Sequence, residues 1–290
     1  MTEQTGQTTD NPPLEPVIRV EGLVKRLGDR TVLDGIDLEV YPGETVVVMG
    51  VSGCGKSTLL RLMIGALTAD AGRVLLFGQD LAALNGKQLN ALRLRFGILF
   101  QSGALFNSMT VGDNVALPLR EHTRLDEETI DILVKIKLQQ VDLRDAAGLM
   151  PSEISGGMKK RAGLARALAM DPEILFYDEP SAGLDPLNAA EIDQLIRDQA
   201  DVLKVTSVVV THDMASAFRI ADRMAMLDGG RMLKVGPRAE FEALRDGPST
   251  GDAAGNLVRQ FLRGDSAGPI TDRRLSTGFE WDMLNAAGWQ

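Results

Sequence analysis

The chain has 290 residues, with 31 Lys and Arg against 40 Asp and Glu and a formal net charge of −9. Its 44% apolar and 24% charged residues are ample for a buried core, and the acidic balance argues against work on nucleic-acid phosphates. One cysteine, Cys54, and two histidines, His122 and His212, exclude a disulfide scaffold and leave too few soft ligands for most transition-metal sites.

Residues 1–16 are polar, acidic and proline-bearing, and are expected to form a disordered arm without the basic and apolar regions of a signal peptide. No run approaches the ~18 consecutive apolar residues of a membrane span. The expectation is a cytosolic protein whose membrane role, if it has one, comes through a partner. Short β-type runs follow at Val17–Val20, Ile36–Val40 and Thr45–Met49, then helical stretches at Leu59–Leu67 and Gln88–Leu94 around a strand at Arg73–Phe77. The apolar run Phe96–Phe100 leads into Gln101. From about residue 102 to 155 strands vanish, and Thr110–Leu117, Glu127–Gln139 and the stretch around Leu143 read as helices. A strong helix over 156–170 precedes renewed alternation: Ile174–Tyr177, Leu187–Ala200, Ser207–Val210, Met214–Ala221 and Met224–Leu227. Alternation of this kind implies a parallel sheet with helices on its faces, here interrupted by a helical insert. Residues 246–257 read as a loop, and the last ten residues hold both tryptophans, Trp281 and Trp289.

Three strand ends carry chemistry. Gly50-Val-Ser-Gly-Cys-Gly-Lys56-Ser57 matches GxxxxGK[ST], directly after Val46–Val48 and before a helix. Its glycines let backbone amides curl around phosphate oxygens, and the helix start adds positive potential. Gly50, Ser52, Gly53, Cys54, Gly55, Lys56, Ser57 and Thr58 form this cradle, with Lys56 reaching the β- and γ-phosphates and Ser57 ligating Mg²⁺. Cys54 reads as a small residue tolerated in the loop. ILFYDEP, residues 174–180, delivers Asp178 to a strand tip to hold Mg²⁺, with Glu179 next to it as general base for an attacking water. His212, after Val208–Thr211, sits at another tip as a γ-phosphate sensor.

Ile154-Ser155-Gly156-Gly157-Met158, opening the helix KKRAGLARAL, resembles the ABC-transporter signature, with Met158 where the family usually has Gln. Gln101 resembles the Q-loop glutamine, which contacts Mg²⁺ or water. Ser181–Asp185 resembles the D-loop, placing Asp185 in the nucleotide-binding set, and His212 resembles the switch histidine. The resemblance covers roughly residues 17–264. It implies an α/β P-loop ATPase: a RecA-like core, an N-terminal antiparallel β subdomain, a helical subdomain at about 102–170, and a C-terminal extension from 265 to 290. It implies that ATP is sandwiched head to tail in a homodimer, where Ser155, Gly156 and Gly157 close over the partner's γ-phosphate.

The strings at 99–123, 151–175 and 208–227 are similar to the ATPases of MCE/Mla lipid-transport systems. That similarity implies a subunit on the cytoplasmic side of the inner membrane, peripheral through a permease dimer, with an MCE lipid-binding protein and a small STAS-type accessory subunit as further partners. Two departures stand out: Leu27 where the family usually stacks an aromatic on adenine, and Met158 at the signature. Ser102–Leu119 is where the family docks a permease helix, with Leu105 and Phe106 as a groove floor or as local core. His122 is expected to pack or cap. Lys159, Lys160, Arg161 and Arg166 are expected to form a solvated helix face. Phe279, Trp281 and Trp289 are expected to help the tail dock on the partner ATPase or on the accessory protein.

Competing readings are an importer or exporter for another substrate and a non-catalytic ATP-binding regulator. A chromosome or DNA-repair ATPase would need a coiled-coil insertion, and Lys56 to Ser155 spans only 99 residues.

Overall fold

Thr45–Met49, all five residues buried, is the strand around which the chain is organised. Such a strand needs cover on both faces, and the computed structural model, which describes residues 15–249 and 251–274, supplies it. The N-terminal part pairs β1 (Ile18–Leu27) with β2 (Arg30–Val40), then crosses β3 (Thr45–Met49) and α1 (Lys56–Met63) to β4 (Ala71–Leu76) and β5 (Gln79–Asp80). Helix α2 (Gly86–Arg93) and β6 (Phe96–Leu99) follow. Then come α3 (Val111–His122), α4 (Glu127–Gln139) and α5 (Gly156–Ala167) with no intervening strand, as expected. The chain closes with β7 (Ile174–Asp178), α6 (Pro186–Leu203), β8 (Thr206–Thr211), α7 (Met214–Ile220), β9 (Arg223–Asp228), β10 (Arg231–Pro237), α8 (Arg238–Asp246), α9 (Ala253–Arg263) and α10 (Pro269–Arg274).

Two sheets result. One is antiparallel, in the order β2-β1-β4-β5. The other runs β10-β9-β3-β8-β7-β6, parallel from β9 to β6, with β10 added antiparallel. The two-residue period of the central strands divides the interior. Val46, Val48, Phe176, Val208 and Val210 face a core shared with α1 and the antiparallel sheet. Val47, Met49, Leu175, Tyr177 and Val209 face a second core built by α3 to α7. Phe176, fully buried and edge-on to Phe96 at 5.4 Å between centroids, is central to the first core. Phe176→Ala is expected to cost about 3–5 kcal/mol, read as a lower denaturant midpoint at unchanged slope.

The structure revises several boundaries. β1 and β2 are ten and eleven residues long, not four or five, because charged positions alternate with buried ones along a sheet open on one side. Helix α3 runs through Pro118 to His122: the proline costs one ladder bond, while buried Leu119 keeps the last turn packed. Only a 3₁₀ turn, Arg144–Ala146, forms near Leu143. β10 and α8 were not anticipated; Gly229 and Gly230, both at positive φ, form the hairpin turn that returns the chain from β9. The loop expected to reach residue 257 ends at Asp252, whose carboxylate caps Ala254 and Gly255 to start α9. The first part of the C-terminal extension folds back on α9, where Gln260 Oε1 accepts from Ile270 N at 2.7 Å and its Nε2 donates to Thr271 Oγ1 at 2.9 Å. Phe279, Trp281 and Trp289 lie outside the described residues, as does the arm before residue 15.

Candidate functional site

Parallel pairing brings the C-terminal ends of β3, β6, β7 and β8 to one edge, where ligands of open α/β sheets bind. A cavity of about 470 Å³ opens there, lined by Ser52, Gly53, Gly55, Lys56, Ser57 and Thr58 from the loop after β3, with Gln101, Glu179 and His212 from the other strand ends. Leu27, Arg30 and Val32 form its remaining wall. Helix α1 begins at Lys56, three residues earlier than expected, so Lys56, Ser57 and Thr58 occupy the helix turn that faces the cavity. Gly55 precedes it at φ +113, and a Cβ there would lie 2.7 Å from Leu33 Cδ2, so only glycine fits.

Lys56 is buried, and its Nζ donates to Gly50 O at 2.8 Å and Val51 O at 3.2 Å, folding the ammonium over its own loop. Ser57 Oγ donates to Asp178 Oδ1 at 3.1 Å. This pair of hard oxygen donors, with Gln101 on the cavity wall, fits Mg²⁺, which takes one or two protein oxygens and completes its shell with phosphate and water. Glu179 adopts φ +51, unusual for a residue with a Cβ, and this turns its carboxylate away from the strand path of Asp178. His212 Nδ1 lies 2.9 Å from both Glu179 carboxylate oxygens, and the Glu179 side chain is 12% exposed against 56% for His212. The imidazole thus braces the carboxylate at the cavity rim.

Cys54 does not line the cavity: its thiol is buried in the core beside the antiparallel sheet, and burial pushes its pKa up. Gly50 does not line the cavity either, since its backbone packs onto Leu227 of β9.

Ser155, Gly156, Gly157 and Asp185 stand outside this cavity. Ser155 caps α5 by accepting from Met158 N at 3.2 Å, which leaves the Gly156 and Gly157 amides without intrahelical acceptors. Gly157 packs on α6, where a Cβ would come within 2.8 Å of Asn188 Oδ1. Asp185 caps α6 through Leu187 N and Asn188 N at 3.0 and 3.1 Å, and its bonds to Asn188 hold its carboxyl below the usual range. The helix start at Ser155 therefore carries open first-turn amides outside the walls of the cavity.

The basic set on α5 is only partly the solvated face expected: Lys159 and Arg161 are half-buried, while the other two are engaged with distant turns. Lys160 is buried, and Arg166 reaches across to Gly103 O at 3.1 Å and Ala104 O at 2.8 Å, seating the segment that follows Gln101. Burial lowers the pKa of both side chains. Sequence periodicity missed them because their cover comes from turns distant in the chain.

A second cavity, of about 790 Å³, lies between α2, β6, α3 and α5, with Phe100, Pro118, His122 and Met170 among its lining residues. His122 lines this groove and is exposed, in place of packing or capping. Leu105 and Phe106 do not line it: Leu105 packs against the helical core, and Phe106 is 53% exposed under Arg166, 5.8 Å from ring centroid to guanidinium.

The family profile described as ABC transporter matches residues 33–182, just over half of the chain. The chain belongs to the ABC transporter family. This ABC protein is 42% identical over 254 residues to a Haemophilus influenzae protein called intermembrane phospholipid transport system ATP-binding protein MlaF, spanning 88% of its own length and 93% of the relative's. It is 43% identical over 258 residues to a Mycobacterium leprae protein called probable ribonucleotide transport ATP-binding protein mkl, spanning 89% of its own length and 72% of the relative's. Its fold superposes with TM-score 0.71 and 29% identity on the ATP-binding cassette MJ0796, a dimer in a post-hydrolysis state bound to ADP and Pi, covering 76% of this chain and 98% of that one. The antiparallel sheet, parallel core and inserted helices are those of an ABC ATPase, and no described helix is long and apolar enough to cross a membrane.

Proposed function

We propose that this chain is the ATP-hydrolysing subunit of a transporter that moves phospholipid between membranes. The observation that carries the reading is the joining of Lys56, Ser57, Gln101, Glu179 and His212 around one cavity in a chain 42% identical to a phospholipid-transport ATPase along nearly its whole length.

ATP is the substrate, and phosphoryl transfer asks the protein mainly for position and charge. Lys56 swings from its own loop carbonyls to the β- and γ-phosphates, while the amides of residues 53–58 hold their oxygens. Mg²⁺ held by Ser57, Asp178 and Gln101 would neutralise charge developing on the phosphates. Glu179 accepts the proton of the attacking water, and His212, bonded to that carboxylate, fixes its direction and faces the γ-phosphate. The open cap completes the site from a second copy: the partner's Ser155 hydroxyl and its Gly156 and Gly157 amides close over the γ-phosphate. Two such chains enclose two ATP molecules, and Asp185, at the start of α6, lies along the same seam. With Leu27 in place of an aromatic, the adenine face is left to Leu27, Val32 and the Arg30 side chain.

The groove holding Phe100, Pro118 and His122 begins one residue before Gln101, so a cytoplasmic helix of a permease dimer seated there would feel the state of the nucleotide site. In this reading the chain sits at the cytoplasmic side of the inner membrane, held by the permease. An MCE lipid-binding protein and a STAS-type accessory subunit complete the assembly, and nucleic acid has no part in it. The test is to purify the chain from membranes with its permease and to measure ATP hydrolysis and bound cargo. Phospholipid in the complex, and phospholipid movement between vesicles that stops without ATP, are expected; a complex that carries ribonucleotide and no lipid would replace this reading with that of the mycobacterial relatives.

A further inference from the structure

Among the described residues outside the nucleotide cavity, two lysines are buried: Lys137, which is paired with Asp171, and Lys160, whose setting is unusual. Lys160, on the second turn of α5, is 5% exposed. Its Nζ donates to Pro180 O at 2.6 Å, Ala182 O at 2.6 Å and Glu179 O at 3.3 Å, and no carboxylate among the described residues forms an ion pair with it. A desolvated ammonium is costly unless its three protons find acceptors, and here all three are main-chain oxygens of a single turn. That turn starts at Glu179, whose positive φ is disfavoured for a residue with a Cβ and persists only where the surroundings hold it. Its other ties include Glu179 N to Val210 O at 2.9 Å, Ala182 N to Glu179 O at 3.2 Å and Leu184 N to Ser181 O at 3.2 Å.

We propose that Lys160 is a positioning residue for the Glu179 carboxylate: its ammonium gathers the carbonyls of residues 179–182 and holds the turn so that Glu179 stays aimed into the cavity beside His212. The inference rests on the reading of Glu179 as the base. It adds that the helix opened by Ser155–Gly157 grips the hydrolytic turn of its own chain, so that seating the cap on one nucleotide and setting the base for the other are movements of one body.

The experiment uses the full chain with four variants: Lys160→Met, which keeps the length of the side chain and removes its protons; Lys160→Gln, which keeps a donor; Glu179→Gln; and the Lys160→Met, Glu179→Gln double. Steady-state phosphate release, equilibrium ATP binding and thermal midpoint are measured on each. Lys160→Met is expected to lower kcat by about 10- to 100-fold with ATP affinity held within about twofold, as a misplaced catalytic group does. Lys160→Gln should recover part of the rate, and the double variant should be no slower than Glu179→Gln, because the two residues act as a unit. If Lys160→Met does not fold, Lys160→Gln decides by the same comparison. Wild-type kcat with a lowered midpoint would make Lys160 a fold residue only and overturn the proposal, as would losses that multiply in the double variant. Wild-type turnover in Glu179→Gln is a separate result: it removes Glu179 as the base whatever Lys160 does.

Discussion

Glu179→Gln is expected to lower ATP turnover by about 10²- to 10⁴-fold, the range for removing a placed general base, which corresponds to about 3–5.5 kcal/mol of barrier. The substitution is nearly isosteric. Its amide still meets His212 Nδ1 across the 2.9 Å gap and still sits on the turn held by Lys160, so the change removes basicity and little else. Asp178, Ser57 and Lys56 are untouched, and ATP affinity should therefore stay near the wild-type value. The signature is bound nucleotide that remains ATP: equilibrium binding reads the first half and phosphate release the second. Turnover near the wild-type level would remove Glu179 from the chemistry.

Lys56→Ala attacks the step before. The ammonium is buried and donates to Gly50 O and Val51 O, so it is stored at the loop in the position from which the phosphates are reached. A charge-assisted bond to phosphate lost from a desolvated site costs about 2–5 kcal/mol, which is about 30- to 5,000-fold in ATP affinity. Saturating ATP should raise the thermal midpoint of the wild-type chain and that of Lys56→Ala much less, because stabilisation by a ligand follows its concentration over Kd. A full upward shift in the variant would mean that the loop amides hold the phosphates alone.

Much of this site is legible in the sequence because its chemistry sits at strand ends. Glycines at 50, 53 and 55 with Lys56 and Ser57, an apolar run ending in Asp178 and Glu179, and a β-branched run ending before His212 each mark where a strand stops, and a parallel sheet places such ends side by side. What stays hidden is set by cover from afar. Lys160 and Arg166 sit on a helix whose composition suits a solvated face, yet the turn at 179–182 and the segment at 103–104 close over them. The thiol of Cys54 turns inward and packs on Gly50, where a Cβ would lie 2.8 Å from its Sγ, which loop composition does not reveal. β10 and α8 escape notice for a different reason: the strand is half-buried at the sheet edge, and its only clear signal is the Gly229-Gly230 pair. The start of α9 is masked by the Gly, Ser and Asp content before it, and Asp252 alone marks the change.

The central claim is that one chain supplies half of each hydrolytic centre and a second copy the other half. Mixing two inactive variants tests it: Lys56→Ala chains, which spoil the phosphate loop, with Ser155→Arg chains, which block the cap. A mixed dimer pairs the sound loop of one chain with the sound cap of the other, so random pairing should restore activity to about a quarter of the wild-type value if sites act independently in a two-fold dimer. Activity that never rises above that of the separate variants, although mixed dimers form and bind ATP, would mean that each chain completes its own site.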